Sequence, residues 1–279
     1  MKKLLSTFTF LTLILIALSA APTHATSASE RVVFLDPGHG NGDGGATTHL
    51  ADGTLVREAD LALSIAQKTA ELLRAKGYQV VLSREKEYRA GHGDDNNNDG
   101  RLNYRDDLQT VVDMANNTKA DLFISMHHNG AANRDAKGVE VYYCEDRPFA
   151  KQSIRLAELV QANLLQALRD IGYEAEDRGA KDDSVLYAWR RPLFTIPAPS
   201  GAGRDGALPP VPSNFRGHLF VLGPARPERG KPSATEMPGV LGESLFVSNE
   251  VEATLLAQER VQWALARGYA NAVVTYFGD

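Results

Sequence analysis

Arg31-Val-Val-Phe-Leu35, running into Asp36-Pro-Gly-His-Gly40 and a glycine-rich stretch to Gly45, is the segment from which the chain can be ordered. Five residues, four of them apolar, have the length and composition of a buried strand, and a Pro/Gly cluster then forces a loop. Beyond the loop, Glu58 to Lys76 places Leu61, Ile65, Leu72 and Leu73 near one helical face, with Gly77 as the stop. Tyr78-Gln-Val-Val-Leu82 is the next strand. Strand, loop, helix and strand in this order predict a parallel pair joined by a crossover helix.

The alternation continues. A polar stretch from Glu85 to Gly100 leads to a helix from about Tyr104 to Asn116. Strands follow at Asp121 to Met126 and Gly138 to Cys144, then a long helix from Ala150 to Ile171. From Ser184 to Pro238 periodicity fails and Pro and Gly become dense, although His218-Leu-Phe-Val-Leu222 reads as a strand. Gly239-Val-Leu-Gly-Glu243 is the last strand, and Asn249 to Arg267 the closing helix. The expectation is an α/β fold: a three-layer, mostly parallel sheet flanked by helices, with a long insertion before the last strand.

Composition narrows the function. The chain has 279 residues, 43% hydrophobic and 23% charged, which fits a globular protein rather than a disordered, collagenous or multi-span one. A net charge of −5 gives no basic field for nucleic acid. One cysteine, Cys144, excludes an internal disulfide framework and a Cys-rich zinc module, and reads as a small buried hydrophobe on a strand. Lys2 and Lys3, an apolar run from Leu4 to Ala21 and the small residues of Thr23-His-Ala25 have the order of a cleaved signal peptide. Residues 1–25 are therefore expected to be removed on export, leaving 26–279 in the periplasm or secreted, with no membrane span.

In parallel sheets, sites gather at the carboxyl ends of strands. His39 and His127 end two strands, Glu58 opens a helix at the same edge, and Glu243 ends the last strand. Each has an ordinary reading alone: a loop histidine, a first-turn carboxylate, a glutamate in an ion pair. Together, two imidazoles and a carboxylate suit a catalytic zinc with one position open to water, and Glu243 suits a general base beside it. His128 competes with His127, because adjacent strand side chains point to opposite faces. Residue pattern alone leaves that choice open.

At this point the motifs resemble a family. Leu35-Asp-Pro-Gly-His-Gly-Asn-Gly-Asp-Gly-Gly-Ala46, Arg57-Glu58, Phe123-Ile-Ser-Met-His-His-Asn129 and Met237-Pro-Gly-Val-Leu-Gly-Glu243 are similar, in this order, to the motifs of the zinc-dependent N-acetylmuramoyl-L-alanine amidases of bacterial cell walls. The resemblance implies zinc held by His39, Glu58 and His127, which decides for His127 over His128. It implies a catalytic Glu243 and peptidoglycan as substrate, cut at the amide between the lactyl group and L-alanine. Gly242 stands where the family has an apolar residue, and Leu245 where it has glycine. The rival readings are a non-catalytic peptidoglycan-binding homologue and a zinc hydrolase of another peptide amide.

Two further features stand apart. Asp95-Asn-Asn-Asn-Asp-Gly-Arg-Leu-Asn-Tyr-Arg-Asp106, within residues 94–107, has calcium-loop spacing. Asp95, Asn97 and Asp99 fill the first three ligand positions, Arg101 offers its carbonyl, and Asp106 the final carboxylate. The insertion at about 184–238 carries Tyr187, Trp189, Phe194 and Phe215, suited to packing on glycan or on an activator protein.

Overall fold

A computed structural model describes residues 27–89, 91–188 and 217–278. The expected signal segment, and Trp189, Phe194 and Phe215 of the insertion, lie outside the described residues. Among the described residues, no helix is long and apolar enough to cross a membrane.

Six strands form the central sheet. β1 (Val32–Pro37), β4 (Gln79–Leu82), β5 (Leu122–Asn129), β6 (Val139–Tyr143), β7 (Asp177–Asp182) and β8 (Gly239–Phe246) lie in the order β4-β1-β5-β8-β6-β7. β1, β4, β5 and β8 are mutually parallel, β6 is antiparallel to β8, and β7 is parallel to β6. A separate hairpin pairs β2 (Thr47–His49) with β3 (Leu55–Arg57).

Strand alternation sorts the two faces. Val33, Leu35, Ile124, Met126, Val141 and Val240 face α1 (Glu58–Ala75), α3 (Ala150–Asp170) and α6 (Glu259–Phe277). Phe34, Phe123, Tyr142 and Leu241 face the other way, against Val111 and Ala115 of α2 (Tyr104–Asn117) and Val221 and Leu222 of the segment before β8. The sheet thus has a cover on each face, the expected mostly parallel, helix-flanked arrangement. α1 buries Leu61, Ile65, Ala66, Ala70 and Leu73, the three- and four-residue spacing of an amphipathic helix.

Some local expectations change. His218–Leu222 is a turn, with the Leu222 and Gly223 amides both donating to the Leu219 carbonyl at 3.1 and 2.9 Å. Its apolar side chains belong to the core cluster but its backbone pairs with itself. The closing helix is two helices, α5 (Glu250–Leu256) and α6, separated at Gln258, whose extended backbone (φ −86°, ψ 126°) caps α6. A short helix, α4 (Val185–Ala188), starts the irregular segment. β7, with the sequence Asp-Arg-Gly-Ala-Lys-Asp, carries no apolar pattern and becomes a strand by pairing with β6.

The departures at Gly242 and Leu245 have a structural counterpart. A Cβ on Gly242 would stand 2.4 Å from the hydroxyl of the buried Tyr269 in α6, so β8 and α6 meet there without a side chain. Leu245 sits at φ 72°, a left-handed conformation that disfavours a bulky residue, and its side chain is fully buried.

Candidate active site

His39 follows β1 at φ 59°, itself in the left-handed region. The turn is held from outside. Arg84 donates to the carbonyls of Pro37 (3.0 Å), Gly38 (2.7 Å), Ala59 (2.8 Å) and Lys86 (3.1 Å). Arg89 donates to the His39 carbonyl at 3.2 Å, and the Asn41 amide to the Glu87 carbonyl at 2.8 Å. Both arginines are buried and lie in the segment after β4, where neither spacing nor composition marked them. Together they hold the strained turn in one shape.

The imidazole of His39 is gripped at both ends. Its Nε2 lies 2.9 Å from Glu58 Oε1 and its Nδ1 2.8 Å from Asp43 Oδ2. His127 Nδ1 approaches the same Glu58 Oε1 at 2.9 Å, and the two rings meet edge-on with centroids 4.9 Å apart. The other Glu58 oxygen accepts the Ala46 amide at 2.8 Å. Donor atoms of His39, Glu58 and His127 all lie within 4.8 Å of one another. Two imidazole nitrogens aimed at one buried carboxylate oxygen is a donor set that fits a divalent cation. Asp43, which the sequence did not single out, places a carboxylate behind His39, the arrangement that fixes the ring and tautomer of a histidine able to ligate a metal.

Charge agrees with this geometry. Burial lowers the His39 pKa, but hydrogen bonds to Asp43 and Glu58 outweigh it and raise the value to about 10. Burial raises Glu58, but hydrogen bonds from His127 and His39 hold it far below the usual carboxylate range. The cluster therefore keeps its carboxylate ionised.

Glycine makes room for the rings. A Cβ on Gly38 would lie 2.2 Å from His127 Cε1, and one on Gly45 would lie 2.5 Å from Glu58 Oε2 and 2.6 Å from His39 Cδ2. Any side chain at either position would occupy the ligand cluster itself.

His128 takes the opposite face of β5, as alternation requires. It is 2% exposed, hydrogen-bonds through Nδ1 to the Ser244 carbonyl, and burial lowers its pKa to about 4. His127, not His128, joins the cluster.

Glu243 lies opposite His127 in the β5–β8 register and lines the same cavity, of about 640 Å³, as His39, Glu58 and His127. β8 continues past Glu243 to Phe246, so this residue sits within a strand rather than at its end. Its Oε2 is buried and, among the described residues, without a hydrogen-bond partner. Burial first, then the charges of Glu58 and Glu140, push its pKa well above the carboxylate range. Glu140 is the register neighbour of Glu243 on β6, and its carboxylate is held by Asn129 (2.8 Å), Arg178 (3.0 Å) and Lys181 (2.7 Å).

The acidic loop folds on itself. Asp95 accepts the amides of Asp99 (3.1 Å) and Gly100 (2.9 Å). Asp106 accepts those of Asn97 (3.3 Å) and Asn103 (2.7 Å), the latter as the N3 residue of the α2 capping box. Asp99 accepts the Arg101 amide at 2.9 Å. The three carboxylates do not form a cluster as compact as that around Glu58.

Comparison with known proteins agrees with the fold. Residues 33–198 match the N-acetylmuramoyl-L-alanine amidase family called Amidase_3. The germination-specific N-acetylmuramoyl-L-alanine amidase of Bacillus subtilis is 24% identical over 257 residues, covering 90% of this chain and 81% of that protein. The amidase LytC of the same organism is 35% identical over 246 residues, covering 88% of this chain but 35% of the relative. The CwlD amidase of Clostridioides difficile, solved in complex with the GerS lipoprotein, shares the fold at a TM-score of 0.60 and 24% identity, over 89% of this chain and 98% of that one. The chain belongs to the N-acetylmuramoyl-L-alanine amidase family, hydrolases of the bacterial cell wall.

Proposed function

We propose that this protein hydrolyses the amide joining the lactyl group of N-acetylmuramic acid to L-alanine of the peptidoglycan stem, with zinc as the metal. The observation that carries the reading is the convergence of His39, Glu58 and His127 in one cavity with the unpartnered carboxyl oxygen of Glu243. When bound, zinc supplies Lewis-acid polarisation of the scissile carbonyl and activation of a water molecule.

The chain's own groups do the rest. His39, Glu58 and His127 would hold the ion, and Asp43 keeps the His39 ring in register by its hydrogen bond to Nδ1. Glu243 receives the proton of the attacking water on its free oxygen and returns it to the leaving amine of L-alanine. Its raised proton affinity suits that exchange, and a cation held by His39, Glu58 and His127 would favour the ionised form needed to act as base.

Intact ligand and base positions disfavour the non-catalytic homologue. Digestion of purified sacculi with and without chelator tests the reading. Free stem peptides beginning with L-alanine, released only with metal present, are expected. Cleavage confined to bonds inside the stem would replace it with a peptidase.

Export is part of the same proposal: residues 1–25 act as a cleaved signal, placing the enzyme with its substrate in the periplasm or outside the cell. Calcium at Asp95, Asn97, Asp99, Arg101 and Asp106 is a structural proposal, supported by the spacing of oxygen donors along one twelve-residue loop. An activator protein at the insertion is supported by the lipoprotein complex of the Clostridioides relative.

A further inference from the structure

We propose that Cys144, Asp183 and His218 form a second metal site, for a zinc-type divalent ion, which anchors one wall of the catalytic cavity. The donors come from three separate segments. Cys144 follows β6, Asp183 follows β7 one residue past the Tyr143–Asp182 register pair, and His218 begins the segment that returns towards β8.

Their atoms already converge. Cys144 Sγ lies 3.3 Å from His218 Nδ1, and Asp183 Oδ1 lies 2.6 Å from the same nitrogen. All three donors fall within 4.8 Å of one another. Ligands around a tetrahedral zinc, at about 2.0–2.3 Å from the ion, stand about 3.3–3.7 Å apart. The Cys–His separation is already at that distance, and the His–Asp separation reaches it by opening less than about 1 Å. A ring nitrogen has one proton or one lone pair to offer its two partners. A cation at their common centre serves all three donors at once.

The surroundings have the features of a built site. Cys144 is 2% exposed, Asp183 is fully buried, and the His218 side chain is 3% exposed. Asp146 Oδ2 sits 3.0 Å from His218 Nε2, a carboxylate-behind-histidine arrangement in which the opposite ring nitrogen faces Cys144 and Asp183. The nearby cations Arg147 and Lys231 direct their hydrogen bonds to backbone carbonyls of Leu222, Gly223 and Thr235. A soft sulfur with one imidazole and one carboxylate selects zinc, or cobalt in its place, over calcium or magnesium.

The site has a mechanical consequence. The second Asp183 oxygen accepts the Leu219 amide at 2.8 Å, and Leu219 lines the cavity shared by His39 and Glu243. The cluster thus pins the chain to the sheet just after residues 189–216.

Cobalt titration of the full chain under reducing conditions tests the proposal. Cys144 is the sole cysteine, so a thiolate-to-cobalt charge-transfer band can arise only there. The band is expected in the unsubstituted chain and in His39→Ala. It should be bleached by added zinc and absent from Cys144→Ser and His218→Gln, with bound metal falling by one ion per chain in those two variants. No such band in the unsubstituted chain at saturating cobalt would overturn the proposal, whether or not the variants fold. Retention of the band in His39→Ala separates this site from the catalytic one.

Discussion

Replacing Gly38 by alanine tests the site without touching a proposed ligand. The added Cβ would lie 2.2 Å from His127 Cε1, 2.4 Å from Nε2 and 2.5 Å from Nδ1. Ordinary contact begins at 3.4 Å, so about 1.2 Å must be found somewhere. The backbone of the turn is ill placed to give it. The Gly38 amide donates to the Met126 carbonyl at 3.0 Å, and its own carbonyl accepts Arg84 at 2.7 Å. The imidazole must therefore swing, losing its 2.9 Å contact with Glu58. Metal sites tolerate about 0.2 Å in ligand position, so a swing of this size removes His127 from the set. The expected result is a loss of metal affinity and of turnover of at least about 10–100-fold. Overpacking should cost about 1–3 kcal/mol of stability, a fall of roughly 3–10 °C in Tm. Gly42→Ala is the control. Its Cβ meets nothing within 4 Å, and at φ 87° it suffers backbone strain alone, so it should keep its metal. Metal analysis, sacculus hydrolysis and thermal melts on both variants decide the matter. Native metal content and turnover in Gly38→Ala would refute the reasoning.

Other outcomes follow from the same geometry. Glu243→Gln should keep fold and bound metal while kcat falls by about 10²–10⁴-fold, and unchanged turnover would remove Glu243 from catalysis. Arg84→Ala strands four carbonyls around the His39 turn and should cost about 2–4 kcal/mol in urea unfolding, with Arg84→Lys restoring only part of it because an ammonium lacks the planar fork. Burial, with Arg147 nearby, lowers the Lys231 pKa to about 7, below the ordinary lysine value of 10.5. The unfolded chain therefore binds more protons between those values, and this residue's contribution to stability rises with pH across that window. Lys231→Met should accordingly be most stabilised relative to the parent below pH 7, with the gap closing by at most about 1.4 kcal/mol per pH unit towards 10.5; a gap independent of pH would contradict this. Removing calcium with EGTA while zinc is retained should lower Tm, and a superimposable melting curve would count against calcium in the loop at 95–106.

The periodic parts of the fold were legible. α1, α2 and α3 bury residues at three- and four-residue intervals, and β1 and β5 are apolar runs bounded by turn residues, so covalent geometry alone orders them. β7 and the β2–β3 hairpin were not legible, because their strand character comes from a partner and not from their own apolar pattern. The turn at His218–Leu222 was misread for the complementary reason: an apolar run marks burial, and burial does not specify whether the backbone pairs or turns.

The candidate ligand types and their order along the chain are legible in the sequence. His39 follows β1 and His127 lies near the end of the adjacent parallel strand β5, Glu58 opens the crossover helix α1, and parallel pairing puts such positions at a single edge. The tertiary structure alone decided what surrounds them. Asp43 behind His39, the Arg84 fork beneath the turn, the unpaired oxygen of Glu243 and the meeting of Cys144, Asp183 and His218 are products of side-chain approach. Backbone periodicity repeats along the chain and can be read from it, whereas contacts between residues as distant as Cys144 and His218 exist only once the sheet has brought their segments together.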